Sequence, residues 1–518
     1  MSDSQPQQPS PSPRNPAGGP SGATGGGTGA SPGGGHGTGH GTSHGGGHGT
    51  GHGAGHGGGP GGGPPKGSAG GPSRGSGGPG RSASGGSGRG PAEGPGRGPA
   101  EGSGRSPARA PGGGAPEAEP QTGLLLTGAR LTDGRTVDVR LGGGRIQAVG
   151  TAGSLPAPAL ARVDLRGYLL LPAPAEPHAH GDTALTADGE GPVSYAPDEV
   201  QRRATEAALL QLGHGATAVR SHVRIGDVHG LGPLEASLQA RRSLRGLTDL
   251  TTVAVPRLLT GVAGADGLAM LRDAVKMGAS VIGGCPDLDP DPTGFVEAVL
   301  ELAAEHGCPV DLHTDGDDPG RLARLAAMAG GLRPGVTIGP CGGLSRLPLD
   351  AASRAADQLA AAGVRVTCLP QGDCAALERR GLRTAPVRLL RAAGVRVAAG
   401  SGALRDAGNP VGRGDPLEAA YLLASQGGLR AAEAYASVSA AAREVMALPE
   451  VRVEAGFPAE LLAVRGERIA GVLSLAYSRI VIHRGRVVAR TSAVREYCDS
   501  AVAVALDLPR QGRMEPGP

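Results

Sequence analysis

Aromatic side chains are scarce in this 518-residue chain: tryptophan is absent and phenylalanine occurs only at Phe295 and Phe457. Flat ligands are usually held by stacking and a few placed polar groups, so a stacking-based binder is disfavoured at the outset. Lysine occurs only at Lys66 and Lys276, and arginine supplies most of the positive charge. The formal net charge is +3. About eight basic and five acidic residues precede position 120, which leaves the remainder nearly neutral. No basic stripe points to nucleic acid. No apolar run approaches the ~20 residues needed to cross a bilayer. The polar start Met1-Ser2-Asp3-Ser4-Gln5-Pro6 does not read as a secretory signal. The cysteines (Cys285, Cys308, Cys341, Cys368, Cys374 and Cys498) form no close pair. A cytoplasmic location with reduced thiols is the corresponding expectation.

Glycine is abundant, and it is concentrated at the start. His36, His40, His44, His48, His52 and His56 recur every fourth residue, and Arg89, Arg97 and Arg105 recur every eighth. Residues 1–120 cannot bury enough apolar surface to offset chain entropy and are expected to be a long disordered tail. The tail imidazoles could share a metal loosely, which makes a metal-holding or interaction role for this segment one functional reading.

Regular patterning starts near Leu124. Leu124–Leu131, Thr136–Leu141 and Arg145–Val149 read as strands separated by Asp133-Gly134 and Gly142-Gly143-Gly144. Ala459–Val464, Val472 onward, Arg479–Ile482 and Val487–Arg490 repeat the pattern at the far end. The two ends are expected to pair into one small β domain from 121–170 and 451–492, followed by a tail over 493–518. Between them, strand-length apolar runs begin with Tyr168–Leu171 and end with Val395–Ala399. They alternate with helix-length segments such as Pro197–Leu212, Leu234–Leu244 and Phe295–His306. About eight such units predict an α/β fold, a (β/α)8 TIM-type barrel over 171–450. His214 and His306 fall at helix ends, and His229 and His483 read as loop residues.

In such barrels reactive groups follow the C-terminal ends of the strands. The first of these ends reads Glu176-Pro177-His178-Ala179-His180, and the fifth reads Asp311-Leu312-His313-Thr314-Asp315. Histidines at i and i+2 of a strand point the same way. His178, His180 and His313 are therefore candidate ligands for one metal ion.

These segments resemble the cytosine deaminase branch of the amidohydrolase superfamily. So do Arg220-Ser221-His222-Val223, Val253-Ala254-Val255-Pro256 and Glu454-Ala455-Gly456-Phe457-Pro458-Ala459-Glu460-Leu461-Leu462. The resemblance spans about residues 124–490. It implies one zinc or iron ion on the three histidines and on an aspartate after the eighth strand, with a metal-activated water attacking a carbon that bears an amine. It also implies a proton-shuttling glutamate three residues after His313 and a histidine after the sixth strand. Here Gly316, Pro340 and Gly402 stand at the glutamate, histidine and aspartate positions. Arg257 replaces an amide that the family uses on the pyrimidine, and Thr183 replaces a lysine. His222 and Arg220 match family positions that support the metal shell. Asp315 and Asp182 are the weak stand-ins for the missing base; Asp317 is a third aspartate in the same loops. Other branches bridge two metals with a lysine on the fourth strand, a role that Lys276, in a helix-like run, does not suit.

The expectation is a small-molecule site, with no nucleic-acid or membrane partner, in which the standard deamination chemistry is lost. An active hydrolase using three histidines on another C–N substrate is the alternative.

Overall fold

The computed structural model describes residues 123–156, 160–372, 383–475 and 477–493. The tail histidines, the arginine repeats, Cys374, Cys498 and the expected C-terminal tail beyond Ala493 lie outside them. The first strands are β1 (Gly123–Arg130), β2 (Thr136–Gly142), β3 (Arg145–Thr151), β4 (Ala161–Asp164) and β5 (Tyr168–Pro172). Gly143 and Gly144 both have positive φ, 59° and 75°. A two-residue hairpin turn needs that geometry, which is why the chain reverses there between β2 and β3.

Eight parallel strands follow: β6 (Glu176–Ala179), β7 (Ala218–Ile225), β8 (Asp249–Pro256), β9 (Val281–Gly284), β10 (Val310–Thr314), β11 (Val336–Pro340), β12 (Arg365–Cys368) and β13 (Val397–Ala399). They pair in chain order. A parallel bridge between Ala179 and Gly402, with the Gly402 amide donating to the His178 carbonyl at 3.0 Å, brings the last strand end to the first. The helices begin and stop where local chemistry dictates. Asp291-Pro292, Asp318-Pro319 and Asp415-Pro416 each put a capping carboxylate before a proline at the first helical position. Gly278, Gly307 and Gly363 end helices in the left-handed conformation.

The chain then returns as β14 (Leu461–Arg465), β15 (Arg479–His483) and β16 (Arg486–Thr491). β14 pairs antiparallel with β5, giving a flanking sheet ordered β16-β15-β14-β5-β1-β2-β3, with β4 beside β1. Strands from both flanks thus share one sheet, as the two β-rich ends suggested.

Three expectations need correction. The run Tyr168–Leu171 is β5 of the flanking sheet, and the first barrel strand is the short segment Glu176–Ala179. The apolar run was the stronger strand signal, but its partner is β14. Residues Ile469–Leu475 form a helix rather than a strand, with Val472 and Leu473 buried. A short apolar run does not by itself distinguish these. His483 is not a loop residue: it ends β15, is fully buried and lies 2.7 Å from Glu460 through Nδ1.

Alternation decides the two faces of the barrel wall. Val223, Ile225, Ala254, Ile282, Leu312, Ile338 and Val366 join the apolar cluster shared with the helices. The opposite parity carries Arg220 and His222 on β7 and Asp311 and His313 on β10, all buried. The hydrophobic effect therefore holds the outer layer, and the interior is left to polar groups that must satisfy one another.

One buried ion pair ties the flanking sheet to the barrel helices. Arg479 of β15 donates to both oxygens of Asp415, at 2.8 and 2.6 Å, and to the His214 carbonyl. Asp415 also caps the helix Pro416–Ser425. Replacing one member leaves a buried charge unpaired. Asp415→Ala is expected to lower unfolding free energy by about 3–5 kcal/mol in urea denaturation, far more than an exposed pair such as Arg354–Asp350.

Candidate metal centre

His178 and His180 extend from β6, and His313 from β10. Their Nε2 atoms converge: His178 to His180 is 3.3 Å, and His180 to His313 is 3.4 Å. Bonds of 2.0–2.1 Å to a tetrahedral ion imply ligand–ligand edges of about 3.3–3.4 Å. The spacing thus fits a shared cation. His178 and His313 have no solvent exposure, and His180 has 6%. Burial, together with the neighbouring rings, holds His178 and His180 well below the usual imidazole range. Burial and His222 take His313 down to about 3. Neutral imidazoles are the form that ligates metal.

His222 completes a cluster in which one nitrogen from each of the four rings lies within 4.8 Å of the others. Its ring centroid is 4.1 Å from that of His178, tilted by 31°. That is ring packing, and neither ring nitrogen of His222 makes a hydrogen bond among the described residues. Its Nε2 is 3.5 Å from Asp311 Oδ1, while Arg220 Nη1 donates to Asp311 Oδ2 at 2.8 Å. Burial would raise the Asp311 carboxyl, but His222 and Arg220 outweigh it and keep it below the ordinary value. Arg220, Asp311 and His222 therefore form a buried platform beneath the three converging rings.

The other expected residues are dispersed. Asp182 is fully buried; the Arg224 amide donates to its Oδ2 at 3.3 Å, and burial raises its carboxyl. Its Oδ1 has no hydrogen-bond partner among the described residues. Thr183 donates to Asp406 at 2.7 Å. Asp315 is turned to the loop after β11, accepting from the Gly343 amide and pairing with Arg346. Arg257 follows β8 and faces Asp227 at 3.4 Å, both exposed.

Glycines make the space for this arrangement. A Cβ on Gly400 would lie 2.7 Å from Glu176 Oε1 and 3.1 Å from His178 Cβ. Gly316 (φ 70°) faces Leu344 and Leu322, and Gly402 (φ 71°) faces Leu369. Apolar side chains and left-handed backbone thus occupy two positions where the resemblance led us to look for carboxylates.

Glu176, at the start of β6, is a further buried group of this site. It is fully buried, accepts from the His178 amide at 3.0 Å and from Ser401 Oγ at 2.6 Å, and is pushed up to about 7 by burial. Its signal was present: Glu176 is two residues before His178, as Asp311 is before His313, so each shares its histidine's face.

The amidohydrolase family pattern matches residues 183–489. A pterin deaminase of Rhizobium rhizogenes is 27% identical over 391 residues, 68% of this chain and 88% of that protein. N-isopropylammelide isopropylaminohydrolase from Burkholderia multivorans superposes with a TM-score of 0.63 at 25% identity, covering 72% of this chain and all of the other. The 5-methylcytosine deaminase of Klebsiella pneumoniae, solved with 5-fluorocytosine, gives 0.63 at 23% identity over 73% of this chain and supports the fold. A divalent metal is general in such proteins, and the histidine cluster here is compatible with one. The chain belongs to the amidohydrolase family.

Proposed function

We propose that this protein is a one-metal amidohydrolase that acts on a C–N bond of a small molecule other than cytosine. His178, His180 and His313 are the residues that would hold a zinc or iron ion. The observation that carries this reading is the pair of Nε2 separations, 3.3 and 3.4 Å, among buried rings. Burying three imidazoles at one point costs solvation, and no packing requirement calls for that convergence. A bound divalent ion would supply Lewis-acid polarisation of the bond under attack.

The protein's own groups do the rest. Arg220, Asp311 and His222 support the histidines from below, and Glu176 fixes β6 against Ser401. Asp182 is the carboxylate left to handle a proton, because its Oδ1 is uncommitted among the described residues and burial favours its protonated form. Asp315 is already committed to Gly343 and Arg346. The glutamate and aspartate positions occupied by Gly316 and Gly402 leave the standard deamination route without its proton handlers, a loss typically worth 10²–10⁴-fold or roughly that per group.

A second reading, a non-catalytic binder, is favoured by Leu344 and Leu369 packing against those two glycines. A role centred on the tail histidines concerns residues outside the described structure.

Metal analysis separates these readings. The full chain is expected to hold about one zinc or iron ion, lost in His178→Ala and kept when the six tail histidines are replaced. Metal that survives His178→Ala but leaves with the tail histidines would transfer the role to the tail. Metal retained without turnover on any amide or amidine substrate would favour the binder.

Cytosine deamination, followed as ammonia release, should be undetectable. Gly316→Glu should not restore it, because the left-handed backbone there costs a side-chain-bearing residue about 1–2 kcal/mol. Metal-dependent ammonia release from cytosine by the unmodified protein would refute the loss of the deamination route.

A further inference from the structure

The strand register places Arg224 at the barrel end that carries the histidine centre, and Arg257 comes directly after the next strand. His222 pairs with Val253 and Arg224 with Val255 across β7 and β8. Arg220, His222 and Arg224 share one parity, and the first two are buried inside the barrel. Arg224, at the strand end and exposed, therefore stands at the mouth on the same inward face. Arg257 directly follows the neighbouring strand β8, at the same end of the barrel.

The acidic groups around these cations do not use them up. Asp182 takes the backbone amide of Arg224 and is drawn to its charge, although burial favours the protonated carboxyl, and the Arg224 side chain also hydrogen-bonds Tyr195. Asp227 faces Arg257 at 3.4 Å with both side chains more than half exposed, a contact worth ~0–1 kcal/mol and readily exchanged. Tyr195 stacks on His229 beside this corner, with ring centroids 4.3 Å apart and planes 25° apart, giving the mouth a flat wall. Neither phenylalanine is available as a stacking platform. Phe295 is buried in the helix Pro292–His306, and Phe457 lies under Arg452.

Resting on the one-metal reading above, we infer that Arg224 and Arg257 form a carboxylate-binding fork, so that the substrate is an anionic small molecule carrying a carboxylate near its C–N bond. Guanidinium groups match planar carboxylates with paired hydrogen bonds. Three neutral imidazoles would leave a divalent ion's charge uncompensated, and among the described residues no carboxylate joins the cluster. Both features favour a negatively charged ligand at this mouth over the neutral heterocycle that an amide at position 257 would suit.

The test is calorimetric titration of the full chain with malonate and, separately, inorganic phosphate, with metal content measured on the same samples. Malonate is expected to bind, and Arg224→Ala and Arg257→Ala should each weaken it by about tenfold or more while retaining metal. Arg224→Lys, which keeps the charge but loses the fork, should fall between. Metal present with malonate absent, or with its affinity unchanged in both alanine variants, overturns the inference and leaves the one-metal reading intact. No metal, with malonate binding still dependent on both arginines, overturns the one-metal reading and keeps the fork. Phosphate binding tighter than malonate overturns the choice of carboxylate.

Discussion

Six ionisable side chains share the inside of one barrel, and the structure depends on how they neutralise one another. Glu176, His178, Arg220, His222, Asp311 and His313 are all buried. A buried charge is costly unless it is paired and hydrogen-bonded. The solution here is stratified. Arg220 and Asp311 form the one close ion pair among these six side chains, and His222 lies against the carboxylate. Glu176 is held by an amide and a hydroxyl and is driven toward its neutral form. Burial and mutual proximity keep His178 and His313 neutral. Those rings are then free to offer lone pairs at one point, which is the prerequisite for ligating a metal.

Backbone shape fixes what this interior can hold. Gly283, Gly339 and Gly400 stand where a Cβ would meet neighbouring atoms at 2.5, 2.3 and 2.7 Å. Small residues on two strands and at the end of a third thus provide the room that large polar groups on the others fill. Gly316 and Gly402 differ in kind, because their positive φ and leucine neighbours define a local geometry adapted to glycine. The departure from the deaminase pattern is therefore built into the loops as well as into side-chain identity. A carboxylate placed in either loop would meet backbone and leucine side chains adapted to glycine.

How much of this was legible in the sequence follows from which signals are local. Period-two alternation places His178 beside His180 and Arg220 beneath His222 before any coordinates are known. Asp-Pro pairs and C-terminal glycines mark helix ends for the same reason: their chemistry acts within one turn. The β5 assignment was illegible because pairing with β14 joins residues almost 300 positions apart, roughly the span over which chain-local reasoning has nothing to say. His483 was misplaced similarly, since the partner that buries it, Glu460, belongs to a different strand end. Asp315 looked as suitable a base as Asp182 by spacing from the histidines. Only the loop after β11, with Gly343 and Arg346, distinguishes them.

Charge links the interior to the mouth. An aspartate ligand and a nearby glutamate would both temper a divalent ion with negative charge. With Gly402 and Gly316 in those positions, that compensation is missing from the described residues. At the same time the ends of β7 and β8 present Arg224 and Arg257, which add positive charge at the mouth. Cations at a mouth whose centre would hold a divalent ion repel it and one another unless an anion joins them. An anionic ligand that spans the centre and the arginines satisfies both at once.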